Sequence, residues 1–436
     1  MGKRYFAKKS RWEPRLFVIM GAIALVFAFV IAAPYLLSLG RAMFQSRVVI
    51  AGDAAREALE QAHAFVAEGA IEEAERMIQP LLSGRDPVVT PRAIILQADI
   101  DHHHGKAEDA LRLLSEACET FRAGREYPRL LERKARQLEE MARLDEARVI
   151  YETLRDNAPP EIRAMGYLGL GRLAERSDDL IAARDLYRRA VEDAPWNEPV
   201  WEEAVTLMGR LNVALIFSPA QTPESRYYTV ESGDTLISIG MKLNTTLGLL
   251  TIANNIDDAA RLSLGQRLKY TPKDFFIVIE RSTCRLYLFD NRGLFKLYKV
   301  GLGKPGHETT LGNYTIGNKQ KDPVWHKPGV GPIPANSPEN ELGTRWMPLV
   351  PAEEGLPHDL GIHGTVASET VGLYSSKGCA RMLNHEVEEL YDLVVRATPV
   401  EIVENIRDRV DEPDAPEDAA ESTPETTQSD VASDRI

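Results

Sequence analysis

The sequence predicts a multidomain chain: an N-terminal transmembrane helix, an α-solenoid, a small βααβ domain and a mostly-β C-terminal domain. Three observations predict it. An uncharged apolar run covers residues 16–39, a helical template recurs with a spacing of 36–37 residues, and β-rich segments separated by turn residues follow residue 274. With 44% hydrophobic and 27% charged residues among 436, wholesale disorder and a collagen-like fibre are excluded. A net charge of −13 argues against a nucleic-acid binder, and three cysteines are too few for a disulfide-stapled scaffold.

The apolar run comes first. Its 24 residues would span about 36 Å as a helix, enough to cross a ~30 Å hydrocarbon core with some tilt. The cytoplasmic basic segment 1–15 carries Lys3, Arg4, Lys8, Lys9, Arg11 and Arg15 against one acid. The positive-inside rule therefore leaves the N-terminus in the cytoplasm and exports the rest. The expected topology is single-pass, with the bulk of the chain outside the cytoplasm. A cleaved signal peptide is the alternative, but its core is typically shorter, about 7–15 residues.

Residues 52–213 are rich in Ala, Leu, Arg and Glu and repeat. The segments Gly69–Ala74, Gly105–Ala110, Ala142–Ala147 and Asp178–Ala183 share one template, their closing alanines 36, 37 and 36 residues apart. Ala147 and Ala183 each precede a tyrosine, Tyr151 and Tyr187, by one helical turn, and Ala158-Pro159 and Ala194-Pro195 end the helices. A small residue at a helix crossing, an aromatic one turn later and a closing proline resemble the tetratricopeptide repeat. The resemblance implies stacked helix pairs with a concave face that binds a protein partner; a plain helical spacer is the alternative. His102-His103-His104 is not expected to hold a metal, because adjacent helical residues point in different directions.

Residues 214–225 have linker composition. The unit 226–272 then reads as strand, helix, helix, strand: Tyr227–Val230, a helix capped near Thr235, a second from about Thr246 closed by Asn254-Asn255, and Arg267–Tyr270. Tyr228-x-Val230-x-x-Gly233-Asp234-Thr235-Leu236 and Ala253-Asn254-x-Ile256 resemble the lysin motif (LysM). That resemblance implies binding of N-acetylglucosamine-containing glycan in a shallow groove.

The domain 274–404 opens with Phe275–Ile279, Arg285–Phe289 and Leu294–Val300 around the turn Asp290-Asn291-Arg292-Gly293, and has one clear helix, with Val387, Leu390, Tyr391 and Val394 on a face. After about Asn405 the acidic tail 405–436 lacks large apolar side chains and is expected to be disordered. Cys379 lies in Ser375-Ser376-Lys377-Gly378-Cys379-Ala380-Arg381-Met382, sixteen residues after His363 in Gly361-Ile362-His363-Gly364-Thr365. A cysteine with a histidine elsewhere is a candidate nucleophile and base. By residue type, an imidazolium with Lys377 and Arg381 nearby favours a thiolate, and the N–H groups of Gly378 and Cys379 are a candidate oxyanion hole. Cys118 and Cys284 have no such surroundings.

With Thr310-x-Gly312-x-Tyr314, Asn340-x-Leu342-Gly343-x-x-Trp346-Met347 and Thr398-Pro399-Val400 in order, these elements resemble the L,D-transpeptidase (YkuD-type) catalytic domain. The resemblance implies that Cys379 attacks the carbonyl of the third residue of a peptidoglycan tetrapeptide stem and that His363 moves the proton. It further implies that the Gly364 carbonyl orients the imidazole, that Arg381 binds a substrate carboxylate or braces the loop, and that Ser376 is a loop hydrogen-bonder. No cofactor or metal is implied. Leu311, Lys377 and Ala397 depart from the family's usual proline, histidine and glycine. The expected reaction is stem cross-linking by acyl transfer through a thioester. A protein or water acceptor, and a non-catalytic wall-binding scaffold, are the alternatives.

Overall fold

The computed structural model describes residues 52–156, 159–258, 262–327 and 329–409. The expected transmembrane helix 16–39 and most of the acidic tail lie outside the described residues. Among the described residues, no helix is long and apolar enough to cross a membrane. The chain forms two compact units that divide between Leu173 and Ala174.

The first unit is helical: α1 (52–67), α2 (Ile71–Leu82), α3 (Val89–His103), α4 (Ala107–Thr120), α5 (Tyr127–Glu140), α6 (Leu144–Arg155) and most of α7 (Pro160–Arg176). The sequence template marks the turns between paired helices. Gly69, Gly105 and Ala142 all have left-handed backbones, φ +79°, +76° and +60°. The next N–H reaches five residues back each time, Ala70 to Phe65, Lys106 to Asp101 and Arg143 to Leu138, at 2.8 Å. This is the closure that a left-handed residue after a helix permits. Ala74, Ala110 and Ala147 are fully buried. One turn on, Ile78 and Leu114 fill the position that Tyr151 fills later, so the aromatic is not required there. Arginine–carboxylate pairs join alternate helices: Arg92 to Glu126 at 2.9 Å, Arg133 to Asp99, and Arg172 to Glu139 at 3.1 Å. His102 and His104 face different acids, Glu140 and Glu75.

The second unit begins with the α7 C-terminus, α8 (Leu180–Asp193) and α9 (Pro199–Phe217). Asp178, φ +61°, makes the same turn, and Asp179 N–H bonds to Ala174 O at 3.0 Å. Next come β1 (Arg226–Thr229), α10 (Leu236–Lys242), α11 (Leu247–Ile252) and β2 (Arg267–Tyr270), with β1 and β2 antiparallel. Thr235 and Ser238 form a reciprocal capping box on α10. Val230, Leu236, Ile239, Leu250 and Leu268 make the small core.

The remaining strands are β3 (Phe276–Glu280), β4 (Arg285–Asp290), β5 (Gly293–Lys299), β6 (Leu302–Gly303), β7 (Gly312–Ile316), β8 (Gln320–Lys321), β9 (Trp325–Lys327), β10 (Gly331–Ile333), β11 (Arg345–Pro351), β12 (Gly361–His363), β13 (Tyr374–Ser376), β14 (Ala380–Arg381) and β15 (Pro399–Val403). The main sheet runs β14-β12-β11-β7-β15-β3-β4-β5, with β8 on β11. It is antiparallel except at β12–β14 and β15–β3. The helix α12 (Asn384–Leu393) buries Val387, Leu390 and Leu393 in its core.

Three boundaries differ from the sequence reading. The last repeat pair of the span 52–213 belongs to the second unit, where α9 packs on the edge strand β5. Ile216 joins the sheet core and the buried Asn212 amide donates to Phe295 O at 2.8 Å. The linker 214–225 starts inside α9 for the same reason, and Thr222 within it is buried. The tail is folded through Arg409, because Ile406 is buried and its N–H bonds to the Glu280 carboxylate at 2.9 Å.

Candidate active site

The site is built on the parallel pair β12–β14. Ile362 stands opposite Ala380 and His363 opposite Arg381, which carries Gly361 opposite Cys379. Side chains alternate along strands. Ile362, Ala380 and Met382 therefore enter the core, and His363, Cys379 and Arg381 share the other face. On the far side of His363, Trp346 of β11 is its register partner, the rings 5.7 Å apart. Gly361 has no side chain because the Trp346 indole fills that space.

His363 is buried, and its Nδ1 lies 2.6 Å from Gly364 O. A carbonyl only accepts, so the Nδ1 that faces Gly364 O carries a proton. Burial pushes the imidazole down to about 4, against the Gly364 carbonyl; Arg381 pushes the same way as burial and the Glu341 backbone opposes it.

Cys379 is partly exposed and its thiol faces Asp359 O at 3.7 Å. Burial pushes the thiol up to about 11; the Gly361 backbone and Arg381 oppose this and Asp359 adds to it. Burial thus works on both groups against the thiolate–imidazolium pair expected from residue types. Desolvation outweighs the arginine, and Lys377 is exposed.

The loop before Cys379 is tied by hydrogen bonds. Ser376 Oγ accepts from Gly378 N–H at 3.1 Å and donates to Cys379 O at 2.7 Å. The Gly378 N–H, a candidate oxyanion donor by sequence, is therefore already engaged. The Cys379 N–H has no partner among the described residues. Gly378 adopts φ +123°, and a Cβ there would stand 3.0 Å from Leu360. Buried Thr309 was not singled out by the sequence. Its hydroxyl donates to Gly378 O at 2.8 Å and accepts from Gly303 N–H at 3.0 Å. No local pattern marks it, since its partners lie on distant segments.

Arg381 closes the row. Its NH2 group bonds Glu341 at 3.0 Å, and its Nε is buried without a partner. Asn340 anchors the Glu341 segment through Pro323 O and Pro334 O, at 2.8 and 3.1 Å.

A thiol, an imidazole with one nitrogen oriented by a carbonyl, and an N–H without a partner among the described residues lie on one sheet face. Comparison with known proteins identifies the domain. The family model of the L,D-transpeptidase catalytic domain (YkuD) matches residues 274–402, and that of the LysM domain matches 228–271. A Bacillus licheniformis protein named as L,D-transpeptidase YkuD is 31% identical over 183 residues, 40% of this chain and 97% of that one. Its Bacillus subtilis namesake is 32% identical over the same shares. The protein named as L,D-transpeptidase YqjB, also of Bacillus subtilis, is 31% identical over 137 residues, 31% of this chain and 75% of that one. The chain accordingly belongs to the L,D-transpeptidase family, an enzyme whose YkuD catalytic domain and LysM domain both address peptidoglycan.

Proposed function

We propose that the chain is a membrane-anchored L,D-transpeptidase in which Cys379 transfers the acyl group of the third stem residue to an amine acceptor. The observation that carries this is the shared face of His363 and Cys379, with the His363 tautomer fixed by Gly364 O at 2.6 Å. As the Cys379 sulfur bonds the carbonyl carbon, its proton passes to His363 Nε2. The tetrahedral oxyanion takes the Cys379 N–H. Collapse breaks the C–N bond, His363 returns the proton to the departing D-alanine nitrogen, and a thioester remains. The acceptor amine then attacks the thioester, gives its proton to His363, and the sulfur leaves and recovers it.

The remaining parts follow the same reading. LysM holds N-acetylglucosamine glycan beside the donor stem, and segment 16–39 keeps the enzyme at the inner membrane with its domains in the periplasm. The helix pairs are tetratricopeptide-like and offer a face to a protein partner. The 36–37-residue recurrence of turn and buried alanine supports that assignment.

The test uses the full chain with purified disaccharide-tetrapeptide, read by mass spectrometry beside Cys379→Ala. A dimer lacking one D-alanine, absent from the variant, is the expected product. A tripeptide without dimer would replace the stem acceptor by water or a protein amine. No change in either sample would overturn the acyl-transfer reading and favour a wall-binding scaffold.

A further inference from the structure

The Arg381 guanidinium shares the sheet face of Cys379 and His363, acts electrostatically on both, and is only partly used. It is largely buried, its Nε meets no acceptor, and its one carboxylate partner is Glu341 at 3.0 Å. Guanidinium groups favour two parallel bonds to one carboxylate. An arginine holding one bond and one orphaned buried N–H is underfilled, and an orphan of this kind is costly. Glu341, by contrast, is 46% exposed, so its carboxylate has solvent to move into.

The backbone around Glu341 is pinned on both sides. Asn340 is fully buried and holds two distant carbonyls while its own carbonyl oxygen takes the Leu342 N–H at 3.0 Å. Gly343, at φ +63°, packs so closely that a Cβ would overlap the Asn384 side chain and lie 2.7 Å from the Gly364 and Thr365 backbone. Releasing Arg381 therefore needs a rotation of the Glu341 side chain and no loop opening, which leaves the backbone beside His363 undisturbed.

The acyl donor of the proposed reaction carries a carboxylate one residue beyond the bond to be cut, on the D-alanine that leaves. We infer that Glu341 is an internal stand-in for that carboxylate: it occupies Arg381 in the free enzyme and is displaced when a donor with a free C-terminus binds. The two roles expected for Arg381, loop brace and carboxylate ligand, are then successive states of one guanidinium. Glu341 is a positioning residue that makes donor affinity a competition; a donor lacking the terminal carboxylate leaves Glu341 on Arg381 and gains no contact there, so its binding does not depend on Glu341. This rests on the acyl-transfer reading above.

The test is steady-state kinetics of the full chain on disaccharide-tetrapeptide and on its C-terminal amide, with wild type, Glu341→Gln and Glu341→Asp. Removing the competitor is expected to lower KM for the carboxylate donor about tenfold, the effect of one modest charge-assisted contact. The gain is confined to KM and to that donor, and Glu341→Asp returns KM toward wild type. Equal shifts on both donors, or a higher KM for the carboxylate donor in Glu341→Gln, would overturn the inference. Should Glu341→Gln fail to fold, the Arg381 Nε–H resonance is followed in full-chain Cys379→Ala. It should shift on adding the carboxylate donor and stay in place with the amide; an unmoved signal with both would overturn the competition. Wild type inert on both donors would remove the acyl-transfer reading and this inference with it, whereas turnover indifferent to Glu341 removes the inference alone.

Discussion

At the scale of single residues, burial disfavours charge on both His363 and Cys379. With the His363 imidazole pushed down to about 4 and the Cys379 thiol up to about 11, the neutral pair persists across that interval. Alkylation of Cys379 by iodoacetamide should rise through pH 8–10 without a plateau near neutrality; a plateau by about pH 6 would restore the thiolate–imidazolium pair. Stability carries the matching signature. Below the ordinary 6.5 the unfolded chain takes up a proton that buried His363 refuses until about 4, so stability falls as pH drops through that window. The loss reaches up to about 3 kcal/mol, and urea melts of His363→Gln should lack that part of the acid slope. Ala397, left-handed at φ +66°, stands where the sequence departs from a usual glycine. Ala397→Gly should gain about 0.5–1 kcal/mol in a denaturant melt, since it relieves the Cβ clash but frees the unfolded chain. His363, Gly364, Cys379 and Arg381 were legible because each sits in a short local motif. Thr309 and Glu341 were not, because their roles are contacts across 69 and 40 residues.

At the scale of elements, the helix template is local chemistry and reads directly. Gly69, Gly105, Ala142 and Asp178 close helices, and the alanine five residues on is where the next helix crosses its neighbour. Helix α9 has the same template upstream yet a different fate. It is apolar on more than one side, burying Trp201, Val205, Met208, Leu211 and Ile216, so it serves two partners at once. One is α8; the other is β5, whose edge it covers. Asn212→Leu would strand the Phe295 carbonyl, and a loss of about 1–3 kcal/mol in a thermal melt is expected. The βααβ unit is tied to the same body. Lys269 Nζ bonds Leu215 O at 3.0 Å at the end of α9, and Gly248 packs so tightly on Asp392 of α12 that any Cβ would overlap its carboxylate.

For the whole molecule, those contacts decide where the catalytic unit begins. A fragment 226–404 discards α9, exposing Phe295 and leaving buried Lys269 without its carbonyl partners. It should melt well below a fragment 174–409, and dye binding to the uncovered apolar face should accompany the loss. Equal melting temperatures would show that α9 is dispensable to the sheet. The order of the parts, the helical period, the strand–helix–helix–strand unit and the motifs around His363 and Cys379 are all legible in the chain. Each of these is written in residues a few positions apart, where backbone geometry and side-chain period act directly. Contacts between distant segments set the rest: burial opposes a thiolate at Cys379, Ser376 takes the Gly378 N–H, Glu341 holds Arg381, and α9 packs on the sheet. Desolvation and long-range hydrogen bonding set these features, and both depend on which distant segments meet.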